Sequence, residues 1–133
     1  MLCAIATDDG IHLMMRHFGD ARQYEVYRLD EREIFYQETI LNSFREEDDD
    51  EAETAHEAQI KASNMKELFL EKGISVLVSK VFGPNIKRMV KNFVPVIVRY
   101  NDVEKAKDLL IANVSLIQKM LEAGEERQYI ILK

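Results

Sequence analysis

The chain holds one cysteine and no tryptophan, and only two prolines and five glycines punctuate it. With Cys3 alone no intrachain disulfide can form, so stability must come from packing, and a reducing cytoplasm is the expected compartment. No apolar run approaches the ~20 residues of a membrane span. The opening MLCAIATDDG lacks the basic start and long apolar middle of a signal peptide. Positive charge is also short: 18 Lys and Arg stand against 24 Asp and Glu, a formal net charge of -6. Repulsion from phosphates argues against a broad nucleic-acid surface. A nucleophile signature, a Walker loop and a zinc-type ligand pair are all missing. Against these absences, 47% hydrophobic residues are enough for a real core. The expectation is one cytosolic domain spanning residues 1–133, without a membrane or nucleic-acid partner.

The apolar pattern supplies the elements. LCAIAT, residues 2–7, is too short for a helix and ends in the turn-forming Asp8-Asp9-Gly10, so it reads as a strand. Ile11 to Met15 is expected to be its returning strand. Arg22 to Leu29 alternates, and Glu33 to Leu41 is β-branched and aromatic, extending an antiparallel meander. The acidic stretch Arg45 to Glu53 reads as a solvated loop leading into a helix. Thr54 and Glu57 fit a capping box, and Ala58, Ala62, Met65 and Phe69 form a buried helical stripe that Gly73 ends. Ile74 to Val78 and Val94 to Val98 are apolar throughout, the mark of strands covered on both faces. Between them Pro84 opens a short helix over 84–92. Asn101 is expected to cap a last helix through Val103, Ala106, Leu110, Ile117 and Leu121, closed by Gly124, with RQYIIL as an edge strand. The order predicts an α/β fold: a mixed sheet, antiparallel at its N-terminal strands and parallel at its C-terminal strands, between layers of helices.

Two places carry candidate chemistry. His17 ends the second apolar run, and Gly19 beyond it can free the backbone to turn or to approach a ligand. Phe18 between them would fix that turn in the core. A loop histidine held by a rigid sheet can offer a neutral imidazole nitrogen to a metal. His12 reads as a surface residue, and His56 as a first-turn helix residue. The second place is the loop Ser79 to Asn85, which leaves a parallel strand and enters a helix, where amides face the crevice beyond the strand ends. Lys80, Arg16 and Arg88 can add positive charge there, so an anion suits the site.

AIATDDG, then HFGDARQYEVYRL, then GISVLVSKVFGPNIKRMVKNFVPVIV resemble the dinitrogenase iron-molybdenum cofactor biosynthesis family. That family includes small carriers of the NifX type and the C-terminal domain of NifB-type proteins. The likeness runs from Cys3 to about Leu121 and rests on His17-Phe18-Gly19 and Gly83-Pro84-Asn85, in this order. It implies a ribonuclease H-like three-layer fold. It also implies binding or carriage of an anionic iron–sulfur or molybdenum–iron–sulfur cluster, with the family's histidine falling on His17 and its glycine-rich loop on Ser79 to Gly83. Where relatives carry more glycine, this chain has Ser79-Lys80-Val81-Phe82, whose side chains narrow a backbone cradle.

The expected function is therefore a non-enzymatic carrier or assembly protein for such a cluster. His17 would be the metal ligand, and Arg16, Gly19, Lys80, Gly83 and Asn85 would complete the binding site. Its partners would be proteins that donate or accept the cluster, and a homodimer is one open option. The alternative is a regulatory or protein-interaction domain that binds no cluster. A third reading, two-metal phosphoryl transfer with Asp8 and Asp9 as cation ligands, needs several carboxylates converging on two ions about 4 Å apart, and the later strands supply no obvious acidic partners.

Overall fold

The computed structural model describes residues 1–43 and 64–133. Six strands, Leu2–Thr7 (β1), Gln23–Leu29 (β2), Ile34–Leu41 (β3), Ile74–Ser79 (β4), Val94–Val98 (β5) and Ile130–Leu132 (β6), form one sheet in the order β3-β2-β1-β4-β5-β6. β2 runs antiparallel to β1 and β3, whereas β1, β4, β5 and β6 are parallel neighbours. This is the mixed sheet expected of the ribonuclease H-like fold. Helical residues 64–71 (α1) precede β4, and Ile86–Met89 (α2) joins β4 to β5. Val103–Ala112 (α3) and Val114–Glu122 (α4) join β5 to β6. The acidic stretch Arg45 to Glu53, the Thr54–Glu57 capping box with His56, and Ala58 and Ala62 lie outside the described residues.

Parallel strands need crossovers, and the crossovers place helices on both faces. On one face Cys3, Ile5, Val76, Val78 and Val96 pack with Val103, Leu110 and Ile117 of α3 and α4. On the other, Ala4, Ala6 and Leu77 meet Phe69 of α1, together with Phe18, Tyr24, Phe82 and Phe93. The alanines of β1 leave room there for rings. Tyr24 meets Phe69 edge-on with centroids 5.2 Å apart, and Phe18 stacks on Phe82 at 5.3 Å and 16°. Each buried ring contributes about 1.5–3 kcal/mol through burial alone. Cys3 is buried on the first of these faces, and its thiol is pushed up to about 12 by desolvation.

Four expectations need correction. Ile11 to Met15 is not a returning strand: Leu13 and His12 form only isolated bridges, to Thr7 and Asp102, and β2 is the strand that returns along β1. The cause is local. Asp9 Oδ1 accepts the N–H groups of Ile11 and His12, each at 2.8 Å, and winds the chain into a tight turn instead of a ladder. Asn101 does not cap α3; Asp102 holds the N-cap position without a side-chain bond, while Asn101 Oδ1 accepts from Lys80 Nζ. The last helix is two helices, broken where the Asn113 side chain donates to the Leu109 carbonyl at 2.8 Å. The helix expected over 84–92 shrinks to Ile86–Met89, because the Lys91 and Asn92 N–H groups close on i−3 carbonyls in turn fashion before Phe93 returns to the Met89 carbonyl.

Candidate functional site

The carboxyl ends of β1 and β4 are neighbours, and the loops leaving them build the rim of interest. After β1, the buried Thr7 Oγ1 donates to the His12 carbonyl at 2.6 Å and holds the first turn down. Asp8 then gathers the rest of the loop. One carboxylate oxygen accepts the Arg22 N–H at 2.9 Å and the other pairs with the Arg16 guanidinium. Between those attachments His17-Phe18-Gly19-Asp20 forms a short 3-10 turn, with Asp20 N–H donating to the His17 carbonyl at 2.9 Å.

His17 runs beside Val81 in a parallel bridge, so the two loops are joined through their backbones. The side chains then divide by chemistry. Phe18, 1% exposed, turns inward onto Phe82, while the His17 ring stays exposed against Gly83. A Cβ built on Gly83 would fall 2.6 Å from Nδ1 and 2.7 Å from Cε1 of His17, and Gly83 has φ +77. Both the close approach and the left-handed backbone require glycine there. Gly19 is different: its φ is not positive, and an added Cβ would meet nothing within 4 Å. The sharp-turn role expected of Gly19 therefore passes to Gly83.

The remaining candidates are placed as follows. Ser79 is buried, its hydroxyl donating to the Val81 carbonyl at 2.9 Å. Lys80 reaches across to Asn101 beyond β5, and Asn85 is exposed at the N-cap of α2 with no side-chain cap bond. Asp8 and Asp9, weighed as cation ligands, both have local duties. Asp9 pairs with His12 Nδ1 at 2.6 Å besides its two backbone N–H groups. That imidazole, followed by the backbone donors, holds the Asp9 carboxyl below the usual carboxylate range, and Asp9 in turn raises His12. Among the described residues no group of three His, Cys, Asp or Glu side chains could hold a metal ion. The His12–Asp9 pair was missed from sequence, although the Asp-x-x-His spacing in DDGIH was available as a signal.

Two histidines thus stand on one rim. The His12 ring is occupied by Asp9, whereas the His17 ring makes no hydrogen bond among the described residues. Adjacent ends of parallel strands, an exposed imidazole and a turn through Gly83 into a helix make up this rim, and the chain is an α/β domain. The chain belongs to the dinitrogenase iron-molybdenum cofactor family, whose model matches residues 1–113. That span contains every rim residue described above and ends before α4 and β6. Among curated proteins no match is found. The family ties the chain to the iron–molybdenum cofactor and hence, in general terms, to metal–sulfur chemistry and to proteins of cofactor assembly. Among the described residues no helix is long and apolar enough to cross a membrane.

Proposed function

We propose that this chain is a non-enzymatic, cytoplasmic carrier or assembly protein that takes an anionic metal–sulfur cluster as cargo and passes it between donor and acceptor proteins. The reading rests on one observation: an exposed imidazole, without a hydrogen bond among the described residues, lying against the backbone of Gly83 at the strand ends. His17 would be the terminal metal ligand. The loop from Lys80 to Asn85 borders it, and Gly83 lets the His17 ring lie where a Cβ would collide with it. Cys3 is buried with its thiol protonated at neutral pH, so it offers no thiolate. One nitrogen ligand suits cargo that must leave as well as arrive, and does not suit a caged resident metal. Arg16 would balance cluster charge only after exchanging Asp8 for it, and Lys80, held by the neutral Asn101 amide, would first have to leave that bond.

That prior engagement favours a second reading, a protein-interaction domain without a cluster. Anaerobic reconstitution with iron, sulfide and molybdate separates the two. The carrier reading expects a coloured protein with bound metal by elemental analysis, and at least a tenfold loss of metal in His17→Ala, whose exposed ring contributes little to the fold. A colourless, metal-free wild type overturns it and supports the interaction domain, whereas His17→Ala retaining full metal overturns His17 as the ligand.

A further inference from the structure

Charge in this chain is unevenly placed. Residues 72–101 contain Lys72, Lys80, Lys87, Arg88, Lys91 and Arg99 and no acid, so all 24 acidic residues fall outside them. This segment builds β4, α2 and β5. Near the amino ends of β5 and β6, the opposite end of those strands from the His17 rim, an open cavity of about 330 Å³ is lined by Lys87, Val90, Arg127, Gln128 and Tyr129.

The Arg127 guanidinium is half-buried and fixed by carbonyls: Nε donates to Gly124 at 2.9 Å and Nη2 to Lys91 at 3.0 Å. Carbonyls orient the fork without cancelling its charge, which a carboxylate would do. Among the described residues neither Arg127 nor Lys87 forms an ion pair. Glu125 and Glu126, on the turn before, are exposed and do not line the cavity.

We propose that this cavity binds a small phosphate monoester carrying a planar ring, a ligand of mononucleotide size. Two cations with no acid in the lining select an anion, and a positioned guanidinium suits phosphate oxygens. Tyr129, 45% exposed, and Val90 offer apolar surface to a ring, while the Gln128 amide can both donate and accept. The volume lies at the lower end of the range for small-molecule sites. The lining has no thiolate or imidazole, so it is not a second place for a metal–sulfur cluster. Arg127, Gln128 and Tyr129 also lie beyond the residues matched by the family, which makes the cavity a feature of this chain's C-terminal segment.

The test is a titration of the full-length, nitrogen-15-labelled protein with AMP, inorganic phosphate and adenosine in separate arms. AMP is expected to shift the amides of Lys87, Val90, Gln128 and Tyr129, and to bind at least tenfold more tightly than either fragment. Lys87→Gln is expected to weaken AMP by about tenfold, the scale of one lost charge-assisted hydrogen bond. Tyr129→Ala is expected to weaken it by a smaller factor and to leave phosphate binding unchanged. Arg127→Gln should weaken AMP most, but it also cuts two bonds that hold the tail to its neighbours, so Lys87→Gln is the deciding variant. No shifts at the cavity, unchanged affinity in Lys87→Gln, or equal affinity for AMP and phosphate would each overturn the proposal.

Discussion

The two histidine-bearing turns of the rim are built from opposite resources. The turn at Asp9 and His12 is held by polar bonds among exposed groups: two backbone N–H groups and one imidazole converge on a single carboxylate. The turn at His17 is held from below by rings, with Phe18 on Phe82 and against Tyr24 at 4.8 Å, and the Tyr24 hydroxyl donating to the Phe18 carbonyl at 2.8 Å. The first arrangement consumes its histidine. The second supports a histidine while leaving it open to solvent. The contrast shows how a fold keeps a ligand nitrogen available: its neighbours in sequence supply the packing, so the ring itself need not.

Removing the ring stack should break the contrast most severely. Phe18→Ala is expected to cost about 3–5 kcal/mol, the range for deleting a large buried aromatic. Urea denaturation would measure it, and a loss below about 1 kcal/mol would mean that the rim does not rest on the core. Gly83→Ala comes next. An L-residue in left-handed backbone costs roughly 1–2 kcal/mol, and the new methyl must also displace the His17 ring. If that crowding matters, the same substitution made in His17→Ala protein should cost measurably less, a coupling that a double-mutant cycle reads directly. His17→Ala by itself should stay within about 0.5 kcal/mol of wild type, as exposed substitutions do.

The smallest effect belongs to the polar turn and depends on pH. His12 is raised above 6.5 by Asp9, so its contribution is complete below that value and fades as pH rises through its folded-state pKa. Asp9 is lowered from 3.8, so its contribution is present above 3.8 and fades as pH falls through its folded-state pKa. The pair is therefore strongest in the window between the ordinary aspartate value and the raised histidine value. Proton NMR of the imidazole should show the His12 midpoint dropping toward 6.5 in Asp9→Asn. An unchanged midpoint would show that the carboxylate does not govern that ring.

Legibility followed the range of the forces involved. β4 and β5 could be read from their apolar runs because strands buried on both faces leave that mark at every position. β6 was readable as an edge, and Gly73 as the end of a helix, its φ being +78. Ile11 to Met15 misled because an apolar run cannot reveal that a carboxylate two residues earlier will capture its amides. Asn101 misled because its partner, Lys80, is distant in the chain. Gly19 drew attention that belonged to Gly83, since a need for glycine created by a ring from another loop has no local signature.

By itself the amino-acid order determined the strands β1 to β6 and the approximate places of the helices between them, that the sheet is mixed, and which family the chain resembles. These follow from periodicity and turn chemistry, which act between near neighbours. Only the tertiary structure decided that His17 meets Gly83, that Asp8 and Asn101 already hold Arg16 and Lys80, and that Arg127 joins Lys87 around a cavity. Those are contacts across the sheet and its loops, set by how parallel strands bring their ends together after the core has closed.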